Sequence, residues 1–245
     1  MWLLLGMGPL LFFQRALHRE MQSVFLLLFR RADVATLLFS LLFLPGVLLH
    51  ELSHWLMALL LGVKVYDFSV LPQAQPGGKL QLGFVVTQKT DWLRESLIGA
   101  APLLAGGAFV AYSGWSRLQL PLLGDQLRLY GPQVAWQTVG LLYAQADFWI
   151  WAYLTLAVSS TMLPSASDRN AWGPVGLIAL IGLGLALLLG AGPWLMAHWA
   201  EPINQMLRTV AVVTAIGAGL HAILWLPCWL VKRLLMRLTG LEVVA

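Results

Sequence analysis

The sequence predicts an all-α polytopic membrane protein, with about five to six transmembrane helices and a small β-hairpin after one of them. Three observations predict it. The 245 residues are 59% hydrophobic and only 11% charged, with a mean hydropathy of +0.77, whereas a soluble domain carries about 25% charged residues. Apolar runs long enough to span a bilayer recur along the chain. Between two of these runs, residues 63–90 switch to strand composition around a turn-like Gln73–Gly78.

Composition also sets bounds. The net charge of +4 is modest and calls for no nucleic-acid partner; basic residues flanking membrane segments account for it. The lone cysteine, Cys228, excludes an intrachain disulfide and leaves the redox compartment unread. The length suits a single membrane domain, 1–245. No internal repeat or low-complexity segment interrupts it.

Taken in order, residues 1–32 form an N-terminal hydrophobic or interfacial segment. Met1–Phe13 is apolar without a basic start or small-residue cleavage site, so it reads as a retained membrane segment and not a signal peptide. Arg15, His18, Arg19 and Glu20 interrupt the apolar pattern, which resumes at Val24–Phe29. This leaves one tilted helix and one amphipathic surface helix as alternatives. Residues 33–62 are expected to form the first full span, long enough to tilt or kink, with Pro45 as the kink. Val63–Leu71 and Lys79–Thr87 are the two arms of the expected hairpin, 63–90.

A helix is expected over 92–113, capped by Asp91. Its small-residue centre, Gly99–Gly107, permits close helix approach, here against helix 33–62. Residues 114–133 are read as a loop, with room for a short interfacial helix. Residues 134–163 are apolar, but Asp147, Trp149 and Trp151 suggest an interface and a span limited to about 147–163. Two spans near 174–197 and 206–231 complete the chain, followed by a basic tail with Lys232, Arg233 and Arg237.

One helix carries chemistry. His50-Glu51-Leu52-Ser53-His54 reads H-E-x-x-H inside an apolar run. Residues four apart share a helix face, so the two imidazoles converge, and that spacing suits a tetrahedral Zn²⁺. Glu51 stands beside them as a general base for a metal-activated water. With five His in the chain, chance produces such a match in roughly one chain in 500. Ionisable groups in a lipid-embedded helix are costly unless paired or ligated, which favours function over a metal-free interhelical hydrogen-bond cluster.

A catalytic zinc takes three protein ligands and keeps an open position. No third His follows His54 closely. Candidates elsewhere are Glu95, Asp125, Asp147 and Asp168. Asp168 is favoured, because it follows a span that breaks at Pro164, and unwound backbone at membrane depth is tolerated where it lines a cavity. The alternative for Asp168 is a loop ion pair with Arg169.

On these residues the chain resembles the site-2 protease family of intramembrane zinc metalloproteases. The matching features are His50-Glu51-x-x-His54, the hairpin followed by Gly99-Ala100-Ala101-Pro102, and Pro164 with Asp168. They cover about residues 33–170. The chain departs from the family pattern at Ala105, where an asparagine is usual. Arg169 replaces the usual glycine after the late Asp, Thr161 stands where Asn is usual, and the Pro164–Asp168 spacing is one residue shorter. The resemblance implies a metalloprotease core over 33–173 with His50, His54 and Asp168 holding Zn²⁺ and Glu51 catalytic. Residues 174–245 supply two further helices and the tail. It implies peptide-bond hydrolysis in or near a transmembrane segment of another membrane protein. An edge of the hairpin would hold that segment as an added strand, and Ser53, Ser159, Ser160 and Thr161 are candidates to line the water path.

Two other functions are kept open. One is a catalytically inactive membrane scaffold or chaperone that keeps the protease fold; Ala105 favours it and Glu51 argues against it. The other is a transporter with a His/Glu relay, for which Asp147 and His221 are the further intramembrane groups. Either way the chain is expected in the lipid bilayer as a multi-pass protein of the cell membrane. The resemblance implies an active site toward the cytosol, with 63–95, 164–173 and the tail inside. Eight Lys and Arg then fall inside and seven elsewhere, a split that sets no orientation.

Overall fold

The computed structural model describes residues 2–70, 72–74 and 80–241. The chain is mostly helical. Helix α1 covers Trp2–Phe29, α2 Ala32–Leu42 and α3 Leu44–Leu60. Strands β1 (Val65–Ser69), β2 (Gln73–Ala74), β3 (Leu80–Gln81) and β4 (Phe84–Thr87) follow, then α4 (Trp92–Tyr112) with a π-helical turn, Ser113–Arg117. Helices α5 (Leu120–Tyr130), α6 (Pro132–Tyr143), α7 (Phe148–Thr161), α8 (Trp172–Leu188) and α9 (Gly192–Thr239) complete the order.

The hairpin is where the sequence places it. β1 and β4 pair antiparallel from Val65↔Thr87 to Ser69↔Phe84, with an irregularity between Val65 and Asp67. β2 and β3 pair as Gln73↔Gln81 and Ala74↔Leu80. The expected Pro76-Gly77-Gly78 turn lies outside the described residues. Gly62 makes the entry to the hairpin sharp. Its φ is +69°, Gly62 N–H donates to Leu59 O at 3.1 Å, and Val63 N–H to Ala58 O at 2.8 Å. This left-handed stop satisfies two orphan carbonyls of α3. Asp91 caps α4, accepting from Leu93 N–H and Arg94 N–H, both at 3.1 Å.

The expected helix 33–62 is two helices. α2 and α3 meet at Phe43 with a bend of 66°. Pro45 explains the break: lacking an N–H, it starts α3 in its first turn instead of continuing α2. Phe43 fills the joint, 1% exposed, against Phe39 and Ala157. At the C-terminal end the expected spans 174–197 and 206–231 are divided differently. Gly190, at φ +82°, stops α8, and Pro193 opens the 48-residue α9, which runs unbroken through both Pro202 and Pro227. Residues 114–133 hold helix α5 as well as the π turn, and α7 begins directly after Asp147.

Among the described residues, two helices are long and apolar enough to cross a membrane, Trp92–Arg117 and Gly192–Thr239. The number is up to four if the bent pairs α2–α3 and α6–α7 each count as one span. This is fewer than the five to six expected from sequence. α8 is only 17 residues long, and α1 carries Arg15, Arg19 and Glu20 in its middle.

α1 and α9 run parallel. Gly6 lies against Ala211 and Thr214, Leu10 against Gly217, and Glu20 meets Lys232 at 2.5 Å. α4 and α7 run antiparallel: Gly106 packs on Met162, and Thr155 Oγ1–H donates to Ser113 Oγ at 2.8 Å. The main core lies where these four helices meet, with Leu10, Val110, Val158, Met162, Val213 and Ala218. A smaller cluster, Ala58, Val63 and Ile98, fastens α3 to α4.

Candidate metal centre

α3 holds His50 and His54 one turn apart, and the segment after α7 brings Asp168 to them. The His54 and His50 Nε2 atoms are 3.2 Å apart. Asp168 Oδ1 lies 3.3 Å from His54 Nε2, and Oδ2 lies 3.6 Å from His50 Nε2. One ligand atom from each residue falls within 4.8 Å of the others, so His50, His54 and Asp168 form a possible metal-binding triad. A tetrahedral ion with bonds near 2.05 Å needs ligand atoms about 3.3 Å apart. The Nε2–Nε2 separation fits, while Asp168 turns one carboxylate oxygen to each imidazole.

Each residue of this possible triad is oriented by a backbone group. His50 Nδ1–H donates to Thr161 O at 2.6 Å, and His54 Nδ1–H donates to Ile98 O at 2.8 Å. A carbonyl only accepts, so Nδ1 carries the proton in each ring, and in the neutral form of each ring Nε2 is the bare nitrogen turned to the centre. Asp168 Oδ2 accepts Ser165 N–H at 2.7 Å. The Ser165 N–H bond favours the ionised carboxylate. Two imidazole lone pairs and a carboxylate thus converge. Such a set is repulsive unless positive charge sits between its members.

Glu51 is buried, 7% exposed, and lines the same cavity as the triad. The hairpin covers it: a Cβ built on Gly83 would come within 2.7 Å of Glu51 Cγ, so only glycine lets the backbone pass there. The cavity measures about 1020 Å³ and is bounded by Val47, the triad, Leu82–Val85 and Ser165–Ser167, among others. One wall is therefore strand β4, and the other is the loop that carries Asp168.

The remaining candidates separate. Glu95 lines the cavity but accepts from Thr90 N–H and stands outside the triad. Asp125 is exposed on α5. Asp147 sits at the far end of α7, near Arg117 and bonded to Trp151 Nε1. Arg169 does not pair with Asp168; its Nε–H donates to Ser165 O at 3.1 Å. Of the four hydroxyl residues expected to line a water path, Ser160 and Thr161 border the cavity; Thr161 Oγ1–H bonds its own helix at Ala157 O, as Ser53 and Ser159 do at His50 O and Leu156 O.

Sequence reasoning missed a polar seam behind the cavity. Ser160 Oγ–H donates to His221 Nε2 at 2.8 Å, since His221 Nδ1–H is committed to Gly217 O. Gln14 Nε2–H donates to Ser160 O at 2.7 Å. Gln14 and His18, one turn apart within the polar interruption Gln14–Glu20 of an apolar segment, are the sequence signal for this seam. Comparison of the chain with protein-family models, with curated proteins and with solved structures gives no match.

Proposed function

We propose that the protein is an intramembrane zinc metalloendopeptidase, cutting peptide bonds in or near transmembrane segments of other membrane proteins. The observation that carries this reading is the convergence of two imidazole Nε2 atoms and a carboxylate, ligand atoms within 4.8 Å of one another, with a buried Glu51 on the same cavity. His50, His54 and Asp168 would hold the ion, and when bound it would supply Lewis acidity toward the scissile carbonyl and a lowered pKa for a coordinated water. Glu51 takes the proton of the attacking water and returns it to the leaving amine. Glu51 lies buried beneath Gly83 on the wall of that cavity. β4 is one wall of the cavity, and an unwound substrate segment can pair with a strand edge there.

The chain would sit in the bilayer of the cell membrane as a multi-pass protein. The test compares membranes from cells making the natural chain with membranes from cells making Glu51→Gln, by mapping new peptide termini. Termini inside transmembrane segments that vanish in Glu51→Gln are the expected result. Identical termini in both, with metal still bound, would leave the scaffold reading standing.

A further inference from the structure

Each metal ligand is held by a backbone group that an uninterrupted helix would have used itself. In an α-helix the N–H of residue i+4 occupies the carbonyl of residue i. For Ile98 that donor is residue 102, and residue 102 is Pro102, which has no N–H. Ile98 O is therefore vacant on the side of a continuous α4, and His54 Nδ1–H takes it at 2.8 Å.

The second case lies at the end of α7. A continuing helix would pair Ser165 N–H with Thr161 O. Pro164 cannot enter that turn without clashing against the carbonyl four residues back, so the helix stops at Thr161. Ser160 O, left without a donor by Pro164, accepts Gln14 Nε2–H instead. The two members of the broken 161/165 pair then go to different ligands. Thr161 O accepts His50 Nδ1–H at 2.6 Å, and Ser165 N–H donates to Asp168 Oδ2 at 2.7 Å.

We propose that Pro102 and Pro164 are positioning residues for the metal centre: each leaves backbone hydrogen-bonding groups of a membrane helix vacant, and the ligands His54, His50 and Asp168 occupy them. This goes beyond the zinc reading but rests on it for its consequence on affinity. The consequence for the imidazoles does not depend on metal. Both rings are locked with the proton on Nδ1, so Nε2 is preorganised as a ligand before any ion arrives.

The experiment separates the missing N–H from the proline ring. Pro102→Ala removes the ring and restores an N–H that competes with His54 for Ile98 O. The α-hydroxy analogue of alanine at position 102 removes the ring too, but puts a backbone ester there with no N–H. Both full-length chains and the natural one are labelled with ¹⁵N-histidine, and the His54 tautomer is read by NMR in metal-free detergent samples. Zn²⁺ affinity is then titrated. The natural chain and the ester variant are expected to show the Nδ1–H tautomer, and Pro102→Ala a mixture. Zn²⁺ is expected to bind about 10–100-fold more weakly to Pro102→Ala than to the ester variant. Equal behaviour of the alanine and ester variants would overturn the proposal, as would an Nε2–H tautomer at His54 in the natural chain. A natural chain that binds no Zn²⁺ but keeps the Nδ1–H tautomer would sink the zinc reading and leave the assignment of Pro102 intact.

Discussion

At the scale of single residues, the candidate centre depends on Gly99 as much as on the three residues of the possible triad. A Cβ on Gly99 would run into the backbone carbonyl of Asp168, so α4 can approach the Asp168 loop only without a side chain there. Gly99→Ala is expected to push that loop outward and weaken zinc binding at least about tenfold, the range found when supporting groups of a metal site are lost. Gly107, on the same helix, faces open space, and Gly107→Ala is expected to leave affinity unchanged. Isothermal titration of the two variants checks the pair. The same logic explains what was legible. His50, Glu51 and His54 declare themselves because their relation is local, one helix turn. Asp168 lies over a hundred residues away and was reached through the proline break and the family resemblance. The acceptors Ile98 O and Thr161 O, and the cover that Gly83 provides over Glu51, depend on how elements pack, and no local pattern announces them.

At the scale of elements, the sequence shows where helices and strands lie better than where they break. The hairpin arms and α4 stand near their expected bounds because alternation, Gly62 and the Asp91 cap are local signals. Proline is ambiguous in apolar helices, where neighbouring groups can satisfy the freed carbonyls. Pro45 ends one helix and starts another, while Pro202 and Pro227 pass inside α9. The α2–α3 joint decides where His50 stands, and Phe43 is its filler. Phe43→Ala is expected to cost about 3–5 kcal/mol of stability, read as a lowered thermal midpoint in detergent. Gly46 faces the Ala157 carbonyl of α7 with no room for a Cβ. Gly46→Leu is expected to part α3 from α7, lengthen the His50–Thr161 bond and lower both stability and zinc affinity, whereas Gly8→Leu, in open space, should change neither.

At the scale of the whole molecule, the packing of α3, α4 and α7 bears on orientation, which sequence charge counts leave even. α3 and α7 run in the same direction, since Tyr153 Oη–H donates to Leu42 O, Gly46 lies against the Ala157 carbonyl and His50 Nδ1–H donates to Thr161 O. The C-terminal ends of both helices therefore lie at the candidate centre, together with the start of the antiparallel α4. Among the described residues, Lys64, Lys89, Arg94 and Arg169 flank those ends, whereas Arg117 follows the other end of α4 and lies near Asp147 at the start of α7. By the positive-inside rule the account predicts a metal centre facing the cytosol. Single cysteines at Lys89 and Arg117, in a Cys228→Ser background, test this by membrane-impermeant labelling. Position 89 should label from the cytosolic side and position 117 from the opposite side. The reverse pattern would contradict this orientation.

Metal content decides whether His50, His54 and Asp168 hold zinc. The full-length protein, purified in detergent without chelators, is measured for zinc by elemental analysis alongside His54→Ala, Asp168→Ala and Glu51→Gln. Close to one zinc per chain is expected in the natural protein and in Glu51→Gln, with loss in His54→Ala and Asp168→Ala. A folded natural chain without zinc that takes none up on titration would contradict the zinc reading.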